Sequence, residues 1–325
     1  MKRSIFAVAL FLTAYALSLG IPMVQAQPFP NRPIQLIIAN VPGAQSDISG
    51  RLLAEEMEKI LGTKIVVINK PGASGTLGTD AVVRSKKDGY TIGYPSAGGI
   101  VYARVLNPDA VPYDPDKDLE PLGLHLFFPN IAAVQASAPW KNFGELVDYA
   151  KKNPGKVRVG TIGQGSIDSF NLEITQTLTG AQFTSVPFKG GESVLTALLG
   201  GHIEVAFDVF SKYLPHVNAG KVRILLLTKK KAELPDVPTI TELGYKQDLP
   251  SVWMALFAPA GIPEEAKKVL VAAIEKAAKN PELKAKIEAM GNIVDYKSPA
   301  ELKKIMTEDY ERALSIAKKI GLRKP

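Results

Sequence analysis

The stretch Pro33-Ile34-Gln35-Leu36-Ile37-Ile38-Ala39-Asn40-Val41-Pro42-Gly43-Ala44-Gln45-Ser46-Asp47-Ile48 constrains the fold more than any other. The apolar run Leu36 to Ala39 suits a strand buried on both faces, and Pro42-Gly43 turns the chain. Ile48, Leu52, Leu53, Met57, Ile60 and Leu61 then recur at helical spacing. A strand, a tight loop and a helix start follow one another. Ser46 or Asp47 is placed to cap the helix, and the amides left over, with the positive end of the helix dipole, favour an anion such as a carboxylate or phosphate. Most such loops only connect a strand to a helix, so the unit gains weight from its recurrence. Val157 to Gly160 reads as a strand, Thr161-Ile162-Gly163-Gln164-Gly165-Ser166 as a loop, and Phe170, Leu172, Ile174 and Leu178 as the buried stripe of a second helix.

The N-terminus is expected to be removed. Lys2 and Arg3 form a basic start, Ser4 to Gly20 an apolar stretch, and Val24-Gln25-Ala26 a small-residue cleavage site, which together describe a secretory signal peptide over residues 1–26. The mature chain then begins at Gln27 and is expected in the periplasm. Its length is one at which a single core stops growing and the chain divides in two. With Cys 0 there is no disulfide framework, and a composition 46% hydrophobic supplies the core instead. The net charge of +7 includes Lys2 and Arg3. No aromatic residues interleave Lys229-Lys230-Lys231, so nucleic-acid binding is not expected.

Further strands end in loops of the same kind. Lys64 to Ile68 runs into Asn69-Lys70-Pro71-Gly72-Ala73-Ser74-Gly75-Thr76, followed by a short helix with Leu77, Ala81 and Val82. Tyr90 to Tyr94 runs into Pro95-Ser96-Ala97-Gly98-Gly99. These loops all follow strand ends in what reads as one parallel sheet, the edge where open α/β sheets bind ligands. The segment around Val111 to Pro121 reads as irregular, with a first crossing between domains near His125 to Asn130. A second domain opens with the strand Ile131 to Val134 and a helix over Trp140 to Lys152. It continues with the helix Ser193 to Leu199, the strand Ile203 to Phe207 delivering Asp208, and the strand Val222 to Leu227. Val252 to Ala258 crosses back, and three helices close the chain. Pro263 and Pro281 suit first helical positions, and Ser298-Pro299-Ala300-Glu301 carries the capping signature.

Enzymatic constellations fail one by one. His125, His202 and His216 are widely separated and lack metal-ligand spacing. Gly72-Ala73-Ser74-Gly75-Thr76 is not a nucleophile elbow, because Thr stands at its fifth position. Gly163-Gln164-Gly165-Ser166-Ile167-Asp168 fails the dinucleotide fingerprint at its last position, and no phosphate loop is present. No metal, cofactor or catalytic residue is expected. Two α/β domains with Gly-rich loops at their strand ends, joined by two crossings, read as a receptor closing on a small solute. Two alternatives are an exported α/β enzyme using Asp208 or Asp168 and a receptor serving a sensor protein.

The residues also resemble a family. Pro42-Gly43 with Asp47 and Arg51, Asn69-Lys70-Pro71-Gly72-Ala73, Asp88-Gly89-Tyr90-Thr91, Pro112-Tyr113-Asp114-Pro115, Val186-Pro187-Phe188-Lys189-Gly190 and Ala258-Pro259-Ala260-Gly261 occur in the order and spacing of the extracytoplasmic receptors of tripartite tricarboxylate transporters, the Bug receptors. The resemblance implies a type II-like periplasmic binding protein with two α/β domains, a double crossover and an interdomain cleft. Residues 27–127 and 236–325 would form domain 1 and residues 128–235 domain 2. It implies a monomer that delivers a small organic acid to membrane permease subunits. It also implies that one carboxylate is gripped by Gly43, Ala44, Gln45, Ser46 and Asp47 on one side and Thr161, Gly163, Gln164, Gly165 and Ser166 on the other. Ser74, Ser96, Ala97, Gly98 and Asp208 would line the rest. Asp208 reads equally as a helix cap. Asp168 reads as a first-turn residue favoured by the helix dipole or, more sharply, as an acceptor for a donor group on the ligand.

Overall fold

The structure is a computed structural model that describes residues 28–163, 166–189, 191–319 and 321. The expected signal peptide, and with it Gln27, lies outside the described residues, as do Gln164 and Gly165. Two sheets organise the chain, one of six strands and one of five. The first opens with β1 (Ile34–Ile38), helix α1 (Gln45–Leu61), β2 (Ile65–Asn69), α2 (Thr76–Val83) and β3 (Thr91–Tyr94). β1 lies between β2 and β3 and pairs with both in parallel. Alternation along β1 sends Ile34, Leu36 and Ile38 into one core with Leu53 and Met57 of α1, and Ile37 into a second core with Val82 of α2. This is why the run from Leu36 onward is apolar, while Gln35 is exposed.

A π-helical turn (Gly98–Tyr102) leads through two single-turn helices, α3 (Ala103–Leu106) and α4 (Pro115–Asp118), into β4 (Leu119–Phe128). The expected irregular segment is therefore partly helical. β4 joins the first sheet antiparallel to β10 (Val252–Pro259), which makes the sheet mixed rather than parallel. Between them the register slips beside His125, and its imidazole turns inward against Tyr94, whose hydroxyl lies 2.7 Å from Nδ1. Full burial pushes the His125 imidazole down to about 3, so it stays neutral. His125 is thus a core residue.

The second sheet holds β5 (Asn130–Gln135), β6 (Arg158–Thr161), β7 (Thr184–Pro187), β8 (Val205–Val209) and β9 (Val222–Leu227), in the order β7-β6-β8-β5-β9. Helices α5 (Phe143–Lys152) and α6 (Ile167–Thr179) cover one face, while α7 (Gly191–Leu199) and α8 (Phe210–Asn218) cover the other. The chain passes from the first sheet to the second at Pro129, between β4 and β5. Its return falls later than residue 236, because Ile240, Leu249 and Tyr245 pack into the core of the second sheet. The two passages are linked through Thr228, whose Oγ1 accepts from the Asn130 amide and pairs with the Ser251 hydroxyl, and Asn171 Nδ2 of α6 donates to the Pro250 carbonyl.

The C-terminal part returns to the first sheet with α9 (Glu264–Ala278), α10 (Pro281–Ala289), β11 (Ile293–Lys297) and α11 (Pro299–Lys319). β11 is an edge strand that the sequence reading missed. Pro281 takes the first helical position of α10, behind Asn280, whose side chain caps the helix by accepting from Glu282 and Leu283. Pro263 stands one residue earlier than expected, immediately before α9. The Ser298–Glu301 capping box forms reciprocally at the start of α11. α11 also reaches the second lobe, where Lys319 Nζ donates to Thr177 Oγ1.

Candidate functional site

The loops after β2 and β3 and the start of α6 meet at a cavity of about 380 Å³ between the two sheets. Ser74, Ser96, Ala97, Gly98 and Ser166 are the expected residues that line it. Glycine permits the approach: a Cβ at Gly98 would lie 3.3 Å from the Ser74 carbonyl oxygen, and one at Gly99 only 3.2 Å from the Gly75 backbone. Ala73 and Ser74 both sit in the left-handed region, at φ 46 and 56, between Gly72 and Gly75. Such backbone costs of order 1 kcal/mol or more per non-glycine residue and gathers where a loop is shaped for a ligand. Thr76 holds the turn through Oγ1, which donates to the Ala73 carbonyl at 2.9 Å.

At the second lobe, Ser166 is the residue preceding α6, in extended conformation, and its Oγ accepts from the Ser169 amide at 3.2 Å. That hydroxyl also donates to the Gly163 carbonyl at 3.1 Å. Ser166 therefore shapes the loop with its side chain and lines the cavity at the same time. Gly163 adopts φ +70, as the turn needs. Thr161 ends β6 fully buried, with Oγ1 lacking a hydrogen-bond partner among the described residues, and does not line the cavity.

The first-lobe device differs from expectation. Neither Ser46 nor Asp47 caps α1; Ala44 occupies that position and offers no side chain to do so. Asp47 instead reaches backwards, with Oδ2 accepting the Gly43 amide at 2.8 Å and Oδ1 accepting Asn69 Nδ2 at 2.8 Å. Arg51 Nε donates to the same carboxylate at 3.0 Å. Burial would raise this carboxyl, but the bonds from Arg51, Asn69 and Gly43 outweigh it and hold Asp47 below the usual carboxylate range. Asp47 is a buried staple for the Pro-Gly loop. Gly43, Ala44, Gln45, Ser46 and Asp47 do not line the cavity, although Gln45 Oε1 is buried without a partner among the described residues.

Asp168 and Asp208 also lie off the cavity surface, at 2% and 0% exposure. Val209 precedes α8, while Asp208 Oδ1 accepts its own neighbour's amide and Lys212 Nζ at 2.9 Å. Asp168 accepts from Nδ2 of Asn130, the first residue after the crossing at Pro129. Burial first, and then the charge of Asp208, pushes the Asp168 carboxyl well up; burial also raises Asp208, which Lys212 partly offsets.

The cavity's other wall was missed by sequence reasoning. Tyr102, Leu106, Ala110, Val111 and Val252 line it, with Ile167 from the second lobe. Tyr102 also meets Phe170 of α6 with ring centroids 5.5 Å apart, so this wall is a contact between lobes. The signal available was the break after Tyr94, which the sequence marks with Gly98-Gly99 but whose π-helical continuation it does not announce. Among the described residues no cluster of metal-ligating side chains is present, and no helix is long and apolar enough to cross a membrane.

Known proteins fit this geometry. Residues 50–322 match the model of the family described as "Tripartite tricarboxylate transporter family receptor". The chain belongs to that family. The receptor is 32% identical to a protein of Cupriavidus necator, "UPF0065 protein in gbd 5'region", over 100% of its own length and 99% of that protein's. Its fold matches "Structure of a periplasmic transporter" with a TM-score of 0.76 at 31% identity, covering 91% of this chain and 99% of that one. An R. palustris protein solved with adipate gives a TM-score of 0.76 at 27% identity, covering 90% and 98%. The receptor therefore has the two-lobed fold of periplasmic binding proteins.

Proposed function

We propose that this receptor captures a small organic carboxylate in the cavity between its lobes and hands it to the membrane subunits of a tripartite tricarboxylate-type transporter. One observation carries the reading: loops from the strand ends of both sheets converge on a cavity, in a chain of a receptor family with a relative solved with adipate. In this reading residues up to Pro129 and after Pro250 form one lobe and the residues between them the other. Export follows cleavage after Ala26, and the receptor works as a monomer. Ser74, Ser96, Ala97, Gly98 and Ser166 contact the ligand. The Gly43 to Asp47 loop and Thr161 to Asp168 present helix-start amides towards the cleft when the lobes close, with Asp208 behind them.

The ionised carboxylate supplies affinity, since helix-start amides favour an anion over a neutral group. Calorimetry on an acid and its amide tests this: the acid should bind and the amide should lose at least tenfold. Equal constants would remove the anion site. Protein recovered from the periplasm should begin at Gln27, and retention of Met1 on such protein would refute the export step.

A further inference from the structure

The cavity has a polar end and an apolar end, and charge is missing from both. Ser74, Thr76, Ser96 and Ser166 supply hydroxyls where the loops meet, while Leu106, Val111 and Val252 carry hydrocarbon, with the neutral amide of Asn107 beside them. Among the described residues no Lys, Arg, His, Asp or Glu lines it. Lys70, three residues before the lining residue Ala73, is exposed and does not line the cavity. Arg104, beside the lining residue Ala103, donates to Asp116 at 2.9 Å and stacks on Tyr310. Lys212 is held by Asp208, and Arg51 by Asp47. The buried carboxyls Asp168 and Asp208 do not line the cavity, and the cation on them, Lys212, is held by Asp208.

One carboxylate can be compensated by the Ser74 and Ser96 hydroxyls and by the amides at the start of α6, which spans 13 residues, since the Thr76 and Ser166 protons go to the Ala73 and Gly163 carbonyls. A second carboxylate on the same molecule would face hydrocarbon and the neutral Asn107 amide without a cation, and burying an unpaired charge is costly. Resting on the receptor reading above, we propose that this cavity selects monocarboxylic acids with an apolar chain or ring, held by the single charged end at the loops and by the carbon body against Tyr102, Leu106, Val111 and Val252. A volume of about 380 Å³ suits a body of that kind.

The test is calorimetry on the mature receptor with hexanoate, benzoate, hexanamide, adipate and citrate. Hexanoate or benzoate should bind at least tenfold tighter than adipate and citrate, and hexanamide at least tenfold weaker than hexanoate. Leu106→Arg, and separately Val111→Lys, place a cation on the apolar wall and should move the hexanoate-to-adipate ratio at least tenfold towards adipate, in variants whose unliganded melting is unchanged. Tightest binding by adipate or citrate in the unmodified receptor overturns this selectivity while leaving the receptor reading intact. An unchanged ratio in both variants overturns the assignment of the wall. Silence from every acid removes the receptor reading and this inference with it.

Discussion

Helices α1 and α6 each follow a glycine at positive φ, enter through an extended residue, and carry an aspartate in the first turn. Each aspartate also accepts from an Asn on a neighbouring strand, Asn69 for Asp47 and Asn130 for Asp168. Their surroundings then diverge. Asp47 lies beside Arg51 and the Gly43 amide, so it is held ionised and ties the loop to the helix. Asp168 is buried near Asp208, and burial first, then the charge of Asp208, pushes its carboxyl well up. One local motif yields a carboxyl held down in the first lobe and one pushed up in the second, because side chains brought in by other elements decide the direction.

The largest expected effect comes from making the same substitution in both. Asp47→Asn removes the charge that Arg51 and Gly43 bind, and should cost about 1.5–3 kcal/mol at pH 7, towards the lower end because the Arg51 side chain is half exposed. Asp168→Asn replaces a carboxyl whose charged form burial and Asp208 disfavour with a near-isostere, and should change stability by less than about 1 kcal/mol. Urea unfolding of both variants measures the gap. Their pH dependence should have opposite sign. Asp47 is depressed, so its contribution is complete above the ordinary value of 3.8 and is lost as pH falls through the lower folded value. Asp168 is raised, so the folded state holds a proton the unfolded chain releases, and stability declines as pH rises from 3.8 through the raised value. Asp168→Asn should therefore gain on wild type with rising pH, while Asp47→Asn should converge on it in acid. Parallel curves for the two variants would mean that the lobes use their aspartates alike.

The strand-loop-helix units and the loops after β2 and β3 were legible in sequence, since they depend on period-two and helical patterns and on Pro-Gly punctuation. The roles of Asp47, Asp168 and Asp208 were not. Their surroundings depend on Arg51, Asn69, Asn130 and Lys212, of which only Arg51 and Lys212 lie four residues from their partner in sequence. The apolar wall was hidden for a different reason. Leu106 and Val111 look like ordinary core or linker residues, and only the packing of α6 against the π-helical turn makes them a wall. β11 was missed because it is short and at an edge, where pairing with β4 rather than its own pattern defines it.

A smaller effect distinguishes the two helix starts by their caps. Ser166→Ala removes the acceptor for the Ser169 amide and the donor to Gly163, and should cost about 1 kcal/mol in the second lobe. Because that hydroxyl fixes the loop that lines the cavity, ligand affinity should fall as well. Ser166→Asp restores an acceptor and should recover stability, but not affinity, since a fixed negative charge beside the carboxylate repels it. Recovery of both would place the ligand away from this loop.

The smallest effect runs in the other direction. Ala44 precedes α1 at φ −63 and ψ 155, nearly the backbone of Ser166 at −69 and 160, yet it has no oxygen to offer the first-turn amides. The position is also open enough to accept a hydroxyl, being only partly buried beside the exposed Gly43. Ala44→Ser should therefore stabilise the receptor by about 0.5–1 kcal/mol, read as a rise in the urea midpoint with an unchanged slope. The gain should stay below the loss at Ser166→Ala, because Asp47 already satisfies the Gly43 amide and part of the turn is held without a cap. If the uncapped amides of α1 serve an anion in the closed receptor, the same serine should compete for them and weaken acid binding while raising stability. Stability gained with affinity unchanged would assign the first-lobe loop to folding alone and leave recognition to the start of α6 and the loops at Ser74 and Ser96.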